Sequence, residues 1–254
     1  MSSTVDKSWV EGPVPLVHTP IYETKKNNTF TTGASHMALM HNAVFRGFNS
    51  IYNQALSVPA AQHANFIGYA SAWTKLVISH AEAEERDLFP HVEAEMKKPG
   101  YFDDTLGEHE AFVSGVQTMS DYLHASAQEP ASFKPQTLRD KMDAFLEPFQ
   151  SHFHSEIKTI AALAAGPEPT EKAAKAFEDW GRTSITNAGY TDVFVFLLLH
   201  MDREFEDGLW MNWPPIPGLV KMGLANVFML RHPGWWQFAS SDTAGNVKPM
   251  KMWA

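Results

Sequence analysis

The stretch LRDKMDAFLEPFQSHFHSEIKTIAAL, residues 138–163, decides the fold. Its apolar residues recur every three or four positions, which is the spacing of one face of an α-helix. This stripe begins at Leu138 and continues through Phe149 to His152 and Glu156. An imidazole and a carboxylate on a buried stripe would cost several kcal/mol unless they are paired or bind a metal. The stretch therefore predicts a helix that points two metal-binding groups into a core.

Three segments upstream show the same pattern. Turns that contain proline or glycine separate them from one another, at residues 58–59, 97–100 and 128–130, and a further turn at 166–167 ends the fourth segment. Each apolar stripe again includes polar residues, namely His41 on the first helix, His80 and Glu84 on the second, and His109 on the third. Four helices with short connections predict an all-α, up-down four-helix bundle over residues 33–165.

The remaining residues divide into two parts. Residues 1–32 contain prolines and show no sustained period, which predicts an extended arm. Residues 166–254 are predicted to form a helical extension. Its predicted helices run from Thr170 to about Thr186, from Val193 to about Trp210, and from Leu219 to Leu230. We expect the extension to pack on the bundle because it is rich in large aromatic side chains, including Trp210, Trp213, Trp235 and Trp236.

Composition excludes several kinds of function. The 254 residues carry a formal net charge of -9, which disfavours a nucleic acid as partner. No cysteine is present, so thiolate zinc sites, iron–sulfur clusters and cysteine nucleophiles are excluded. The protein must therefore bind any metal through nitrogen and oxygen atoms. No signal peptide is recognisable, and the longest apolar stretch is far short of the about 20 residues of a membrane span, so we expect a soluble cytoplasmic protein.

His-x-x-x-Glu occurs four times, and this spacing places an imidazole and a carboxylate on one face of a helix. Two occurrences, His80/Glu84 and His152/Glu156, lie on buried stripes. The other two are interpreted as a solvated helix end and a salt-bridged helix end. They are His91/Glu95 and His200/Glu204. Four further histidines fall off the stripes and are expected at the surface: His36, His63, His124 and His154.

Ligands of one site must lie at one level of the bundle. His109 and His152 are about equally far from the turn near Pro130, and His41 and His80 differ by only about one turn from the connection at Pro59. Four histidines and two glutamates suit two cations held close together, with iron, manganese or zinc as candidates. Ferritin-like bundles instead use Glu-x-x-His pairs, which this sequence lacks.

At these residues the sequence resembles the hemerythrin-like, or HHE cation-binding, family. The similar pieces are HMALMHNAVFRGFNSIY (36–52), SHAEAEERDLFP (79–90), GEHEAF (107–112) and SHFHSEIKTIAAL (151–163). The aromatic C-terminal region with HPGWWQFA (232–239) looks like that of fungal members. The resemblance implies a di-iron centre that meets dioxygen. The residues that fall on its ligand positions are His41, His80, Glu84, His109, His152 and Glu156.

Two departures from the oxygen-carrying hemerythrins matter. Val113 stands where the carriers have a second histidine on the third helix, and Ile157 stands where they have the acid of the fourth helix, with Glu156 one residue earlier. One metal is thus expected to keep an open position, unless another side chain fills it. The candidates for such an additional ligand are Glu85, Glu108, Glu110, His200 and Glu204.

Two classes of function remain open at this point. An open metal position and a long aromatic extension favour a non-haem di-iron oxidase or oxygenase that acts on a small organic substrate. The alternative is a non-catalytic protein that binds or senses oxygen, iron or nitric oxide. No attached signalling module is recognisable in the sequence. Residues 167–254 could serve as a lid, as a pocket wall or only as a cover of the bundle.

Overall fold

The computed structural model describes residues 5–166, 172, 175, 177, 179–180, 189 and 191–253. The fold is all-α, as predicted, and 69% of it is helical. The helices are α1 (Ser8–Glu11), α2 (Pro20–Thr24), α3 (Thr29–Gln54), α4 (His63–Ala83), α5 (Phe89–Met96), α6 (Asp103–Gln128), α7 (Pro135–Ala162), α8 (Val193–Leu198) and α9 (Gly218–Met229). A π-helical segment, Glu84–Leu88, joins α4 to α5. Short 3-10 turns lie at Ala60–Gln62, Pro130–Ser132, Leu163–Ala165, Phe205–Gly208 and Trp236–Phe238.

Local chemistry explains where the bundle helices begin. The side chain of Asn28 accepts a hydrogen bond from the backbone N–H of Thr31 at 3.0 Å and so caps α3. As a result α3 begins at Thr29, four residues before the predicted bundle boundary. Helix α7 begins with Pro135, whose fixed φ and missing N–H suit the first helical position.

The four long helices pack around an aromatic core. Helix α6 lies against α4 and α7, and α3 lies against α7. Phe48 stacks on Phe149 with ring centroids 5.4 Å apart, and Trp73 stacks on Phe145 at 6.2 Å. All four rings are at most 2% exposed. Such aromatic pairs contribute about 0.5–1.5 kcal/mol each beyond their burial, and these two hold α3 and α4 against α7.

The N-terminal arm is docked on the outer face of α3 and contains the two short helices α1 and α2, so it is not extended throughout. The amide of Asn49 accepts from Val14 N–H at 2.9 Å and donates to Val14 C=O at 2.8 Å. Asn42 makes the same pair of bonds to Val17, at 2.9 and 2.8 Å. These two asparagines therefore satisfy the arm's backbone in the way a neighbouring strand would.

The predicted helix from Val193 to about Trp210 is wrong beyond Leu198, where α8 ends. The following backbone bonds to a distant loop instead, because Leu199 C=O accepts from Ser241 N–H at 2.8 Å. Farther on, Glu206 has a left-handed φ of 51°. Its carboxylate accepts from the backbone and hydroxyl of Thr19 at 2.7 and 2.5 Å, which holds that conformation.

The rest of the C-terminal region covers the bundle. Helix α9 agrees with the predicted helix Leu219–Leu230 to within one residue at each end. Trp236 and Phe238 are buried in the main core, and Phe238 C=O accepts from Ser50 Oγ at 2.6 Å. The predicted helix from Thr170 to about Thr186 lies largely outside the described residues. None of the described helices is both long and apolar enough to cross a membrane. The cytoplasmic location stays a prediction.

Two glycines of α6 test how closely α6 packs on α7. A Cβ at Gly115 would lie 2.6 Å from Cβ of Phe145, whereas a Cβ at Gly107 would meet no atom within 4 Å. We expect Gly115→Ala to lower the free energy of unfolding by about 1–3 kcal/mol through overpacking. Gly107→Ala, the matched control, should raise it by about 0.4–1 kcal/mol by restricting the unfolded chain. Urea unfolding measures both, and equal effects would contradict the close contact.

Candidate metal centre

The six side chains predicted as ligands come from five different helical elements and meet at one level of the bundle. Each is at most 2% exposed: His41, His80, Glu84, His109, His152 and Glu156. The first comes from α3, the next two from α4 and the π-helical segment, the fourth from α6 and the last two from α7. The stripes read from the sequence thus place all six side chains in the interior.

Four of the six form a compact group. His41, His80, Glu84 and Glu156 each offer one ligand atom, and these atoms lie within 4.8 Å of one another. Nε2 of His41 is 3.2 Å from Nε2 of His80 and 3.2 Å from Oε2 of Glu156. Nε2 of His80 is 3.1 Å from Oε1 of Glu84. A cation among these atoms would meet two imidazoles and two carboxylates.

His109 and His152 adjoin this group through its carboxylates. Nε2 of His109 is 3.5 Å from Oε2 of Glu84, and Nε2 of His152 is 3.7 Å from Oε2 of Glu156. The two imidazole rings lie 4.4 Å apart. Each glutamate therefore lies between one histidine of the compact group and one of this second pair.

The partners of the Nδ1 atoms decide which ring nitrogens carry protons. Nδ1 of His109 donates to Oε1 of Glu85 at 2.8 Å, and Nδ1 of His152 donates to Oε2 of Glu108 at 3.1 Å. Nδ1 of His41 donates to the C=O of Phe153 at 2.9 Å. A neutral imidazole that donates from Nδ1 keeps a bare lone pair on Nε2. These three rings thus turn a lone pair toward the carboxylates.

Lone pairs that face carboxylate oxygens are a poor arrangement without a cation. Within the part of the chain that is described, seven buried polar atoms of the centre have no hydrogen-bond partner: Nδ1 of His80, Nε2 of His109, Nε2 of His152, and both carboxylate oxygens of Glu84 and of Glu156. Buried polar atoms left unpaired each cost about 1–3 kcal/mol. Nitrogen and oxygen donors of this kind fit iron, manganese or zinc. The residues present therefore fit a bound metal.

Burial also shifts the pKa values of the side chains at the site. It is the main cause that lowers the pKa of His80 well below its usual value, and it lowers the pKa of His152 to about 2. Burial and the neighbouring Glu156 raise the pKa of Glu84. Burial has the same tendency at Glu156, but the nearby imidazoles of His41, His80 and His109 together outweigh it and lower that pKa. His80 and His152 are thus neutral at pH 7, which is the form that binds metals.

The π-helical segment places Glu84. Pro90 lacks an N–H, and in a regular α-helix its ring would clash with the carbonyl of Arg86. The helix widens instead, and the N–H of Phe89 bonds to the C=O of Glu84 five residues back. Glu84 then points into the site while the adjacent Glu85 reaches Nδ1 of His109 from the rim. Widened turns of this type are frequent at functional sites.

The other candidate ligands do not join the six. Glu85 and Glu108 bind the outer nitrogens of His109 and His152, and Glu110 is exposed. Such outer carboxylates orient the imidazole and raise its basicity. From the sequence, Glu85 and Glu108 are predicted only as possible ligands. Their positions directly beside Glu84 and His109 in the chain are the one sequence feature that could have indicated this orienting role.

The pair His200/Glu204 is not a salt-bridged helix end. His200 is fully buried, its Nε2 lies 2.7 Å from the hydroxyl of Tyr69, and burial lowers its pKa to about 3. Glu204 is exposed and pairs with Lys7 at 3.1 Å. Of the histidines expected at the surface, His91 and His124 are exposed. Three others are only half-buried: His36, His63 and His154.

Both residues that differ from the oxygen carriers lie in apolar surroundings. Val113 is partly buried against the main apolar core. Ile157 belongs to a second apolar cluster near the end of the bundle, with Phe89 and Phe102. The carboxylate of the fourth helix is therefore supplied by Glu156, four residues after His152.

Fold and site together define a four-helix bundle with a buried histidine–glutamate centre that could hold a metal. The chain belongs to the hemerythrin HHE cation-binding domain family, whose model matches residues 32–164. It is also similar to the dimeric xanthone biosynthesis cluster protein R11 of Cryptosporiopsis sp. (strain 8999). The two are 29% identical over 256 residues, covering 98% of this chain and 95% of the relative. No solved structure matches.

Replacing single histidines tests the ligand set. We expect His80→Ala and His152→Ala to lose most of the metal found in the wild type, because each removes one imidazole from a buried centre. His124→Ala is the matched control, since His124 is exposed on α6 and should leave the metal content unchanged. Plasma mass spectrometry of the purified proteins gives the metal-to-protein ratio. Unchanged ratios in both site variants would show that the ligand set is wrong.

The two glutamates that flank His109 allow a test of whether Glu108 affects metal binding by orienting His152 or only through its surface charge. Glu108→Ala should weaken metal affinity about 10–100-fold, because it removes the hydrogen bond that orients His152. Glu110→Ala removes an exposed charge two residues away and should have no such effect. Competition with a chelator of known affinity measures both constants. Equal affinities would mean that Glu108 does not orient the ligand.

Proposed function

We propose that this protein is a non-haem di-iron protein that activates dioxygen, as an oxidase or oxygenase acting on a small organic substrate. The observation that carries the proposal is the arrangement of Glu84 and Glu156, each of which lies between two histidines on different helices. Carboxylates in this position can bridge two cations. A single cation would leave part of the six-residue set without a partner.

The absence of a further histidine supports an open position rather than a closed, saturated centre. Val113 cannot coordinate, and the two carboxylates nearest to the second histidine pair, Glu85 and Glu108, are engaged by the outer ring nitrogens. Bound iron would supply the electrons that reduce dioxygen. The chain's own residues hold the imidazoles in one tautomer and keep the site dry.

Apolar rings enclose the centre and would exclude water from it. Phe112 stacks on His152 with centroids 5.0 Å apart, and Phe153 lies 4.4 Å from the ring of His41. Both phenylalanines are at most 1% exposed. A low-dielectric shell strengthens the electrostatic interactions within it and limits side reactions of activated oxygen.

A cleft beside the centre offers a route for a substrate. Its volume of about 370 Å³ lies within the usual range of small-molecule sites. The residues that line it are Asp87, His91, Glu95, Lys172, Lys175, Asp179 and Trp180. The ring of Trp180, which lines the cleft, lies 5.5 Å from that of His80, a proposed ligand. We assign substrate entry to this cleft.

The relative from Cryptosporiopsis supports a small organic substrate, since its name places it in a biosynthesis cluster for dimeric xanthones. That similarity extends over nearly the whole of both chains, including the C-terminal extension. Oxygen chemistry on an aromatic compound would suit such a setting, and xanthones are the first candidate substrates.

A second function is favoured by one observation. All six proposed ligands are at most 2% exposed, which restricts direct access to very small molecules. A protein that only binds or senses oxygen, iron or nitric oxide would need no wider access. Iron is the metal proposed in either case, with manganese and zinc as the alternatives that the donor set allows.

Oxygen uptake separates the two functions. Protein loaded anaerobically with ferrous iron should consume oxygen faster with a xanthone-type substrate than without it, and form a product detectable by mass spectrometry. His152→Ala should abolish the product, and Glu110→Ala should retain it. Reversible oxygen binding without product, across a panel of aromatic substrates, would favour the binding function. Reconstitution with manganese and zinc in parallel tests the metal.

A further inference from the structure

Arg46 is a buried cation that the metal centre does not use. It lies on α3, five residues after His41, so its side chain leaves the helix on the side away from the ligands. It is 3% exposed, and its Nη1 donates to the C=O of His200 at 3.2 Å. Its Nε and Nη2 have no hydrogen-bond partner among the described residues. These two N–H groups form one edge of the guanidinium, the edge that binds a carboxylate side-on.

The nearby acidic group does not neutralise this edge. Asp202 and, more weakly, Glu11 favour the charged form of Arg46, but the carboxylate of Asp202 binds Lys7 Nζ at 2.8 Å and the N–H of Glu204 at 2.9 Å. No ion pair joins Arg46 to a carboxylate within the described parts of the chain. Burial is the main reason that the pKa of Arg46 falls to about 10, so the group stays charged at pH 7. A buried cation left unpaired in this way is costly.

Arg46 lines a small pocket between α3 and the C-terminal region. The pocket has a volume of about 20 Å³, and a water molecule needs roughly 10–15 Å³. Its lining adds the cations Arg203 and Lys221 and the aromatic rings of Phe205, Trp210 and Trp213. The guanidinium carbon of Arg46 lies 5.2 Å from the centre of the Phe205 ring. The lining thus includes three cationic residues and one carboxylate that is already paired, in a protein whose formal net charge is -9; of the three cations, Lys221 donates to the C=O of Trp213.

We propose that this pocket binds the carboxylate group of a small anion, held side-on by Nε–H and Nη2–H of Arg46. A carboxylate matches the planar edge with two parallel hydrogen bonds, which a spherical halide cannot make. By its volume the pocket has room for one or two groups the size of a water molecule, so only the carboxylate group of the anion enters it. The site is separate from the metal centre and stands whether or not the protein is an oxidase.

Calorimetric titration of the full-length protein with sodium acetate tests the proposal, with sodium chloride at equal ionic strength as the reference. We expect saturable acetate binding and none for chloride. Arg46→Met should weaken acetate binding by about tenfold or more. Arg46→Lys should also weaken it, because a lysine keeps the charge but loses the planar edge. Acetate binding unchanged in Arg46→Met, or matched by chloride, would overturn the proposal.

Arg139 provides the matched control. It is also an arginine of a bundle helix, its Nε has no partner among the described residues, and it lies over the ring of Tyr52 at 3.4 Å. Arg139→Met should leave acetate binding unchanged. If Arg46→Met does not fold, a crystal structure with bromoacetate decides: anomalous density for bromine beside Arg46 supports the site, and density for water or an adventitious ion only overturns it.

Discussion

The structure depends on one constraint: three imidazole lone pairs and two carboxylates are buried facing one another between four helices. While both carboxylates are ionised they cannot satisfy each other by hydrogen bonds, since Nδ1 of His41, His109 and His152 already carries the proton that donates outward. Only a positive charge between them resolves the arrangement. The aromatic packing of Phe48, Phe149 and their neighbours holds the helices at the spacing this requires.

Much of this could be predicted from the sequence because burial in a helix leaves a periodic trace. His152 and Glu156 continue a stripe that starts at Leu138, and distances from the turns set the depth of the other histidines. The roles of Glu85 and Glu108 could not be predicted in this way, since both lie off the stripes and act through contacts between helices. The π-helical segment depends on Pro90, which is visible in the sequence. How the widened turn orients Glu84 is seen only in the folded structure.

Other features could not be predicted from the sequence, for a different physical reason. The apolar run after Val193 looks helical in isolation, but Leu199 and its neighbours bond to the loop near Ser241, and a tertiary contact outweighs local propensity. His200 resembles a surface histidine among its charged neighbours, yet it is buried against Tyr69. The sequence predicts an extended arm because no periodic stripe marks the short helices α1 and α2, and the two side chains that hold its backbone, Asn42 and Asn49, lie on α3.

The outer carboxylates make the two sides of the centre unequal. Glu85 and Glu108, whose side chains are 47% and 38% exposed, add negative charge behind His109 and His152. Behind His41 stands only a backbone carbonyl, and Nδ1 of His80 has no partner within the described residues. Negative charge behind a ligand stabilises the higher oxidation state of a metal. Two irons held here would therefore differ in reduction potential, with the one nearer His109 and His152 the easier to oxidise.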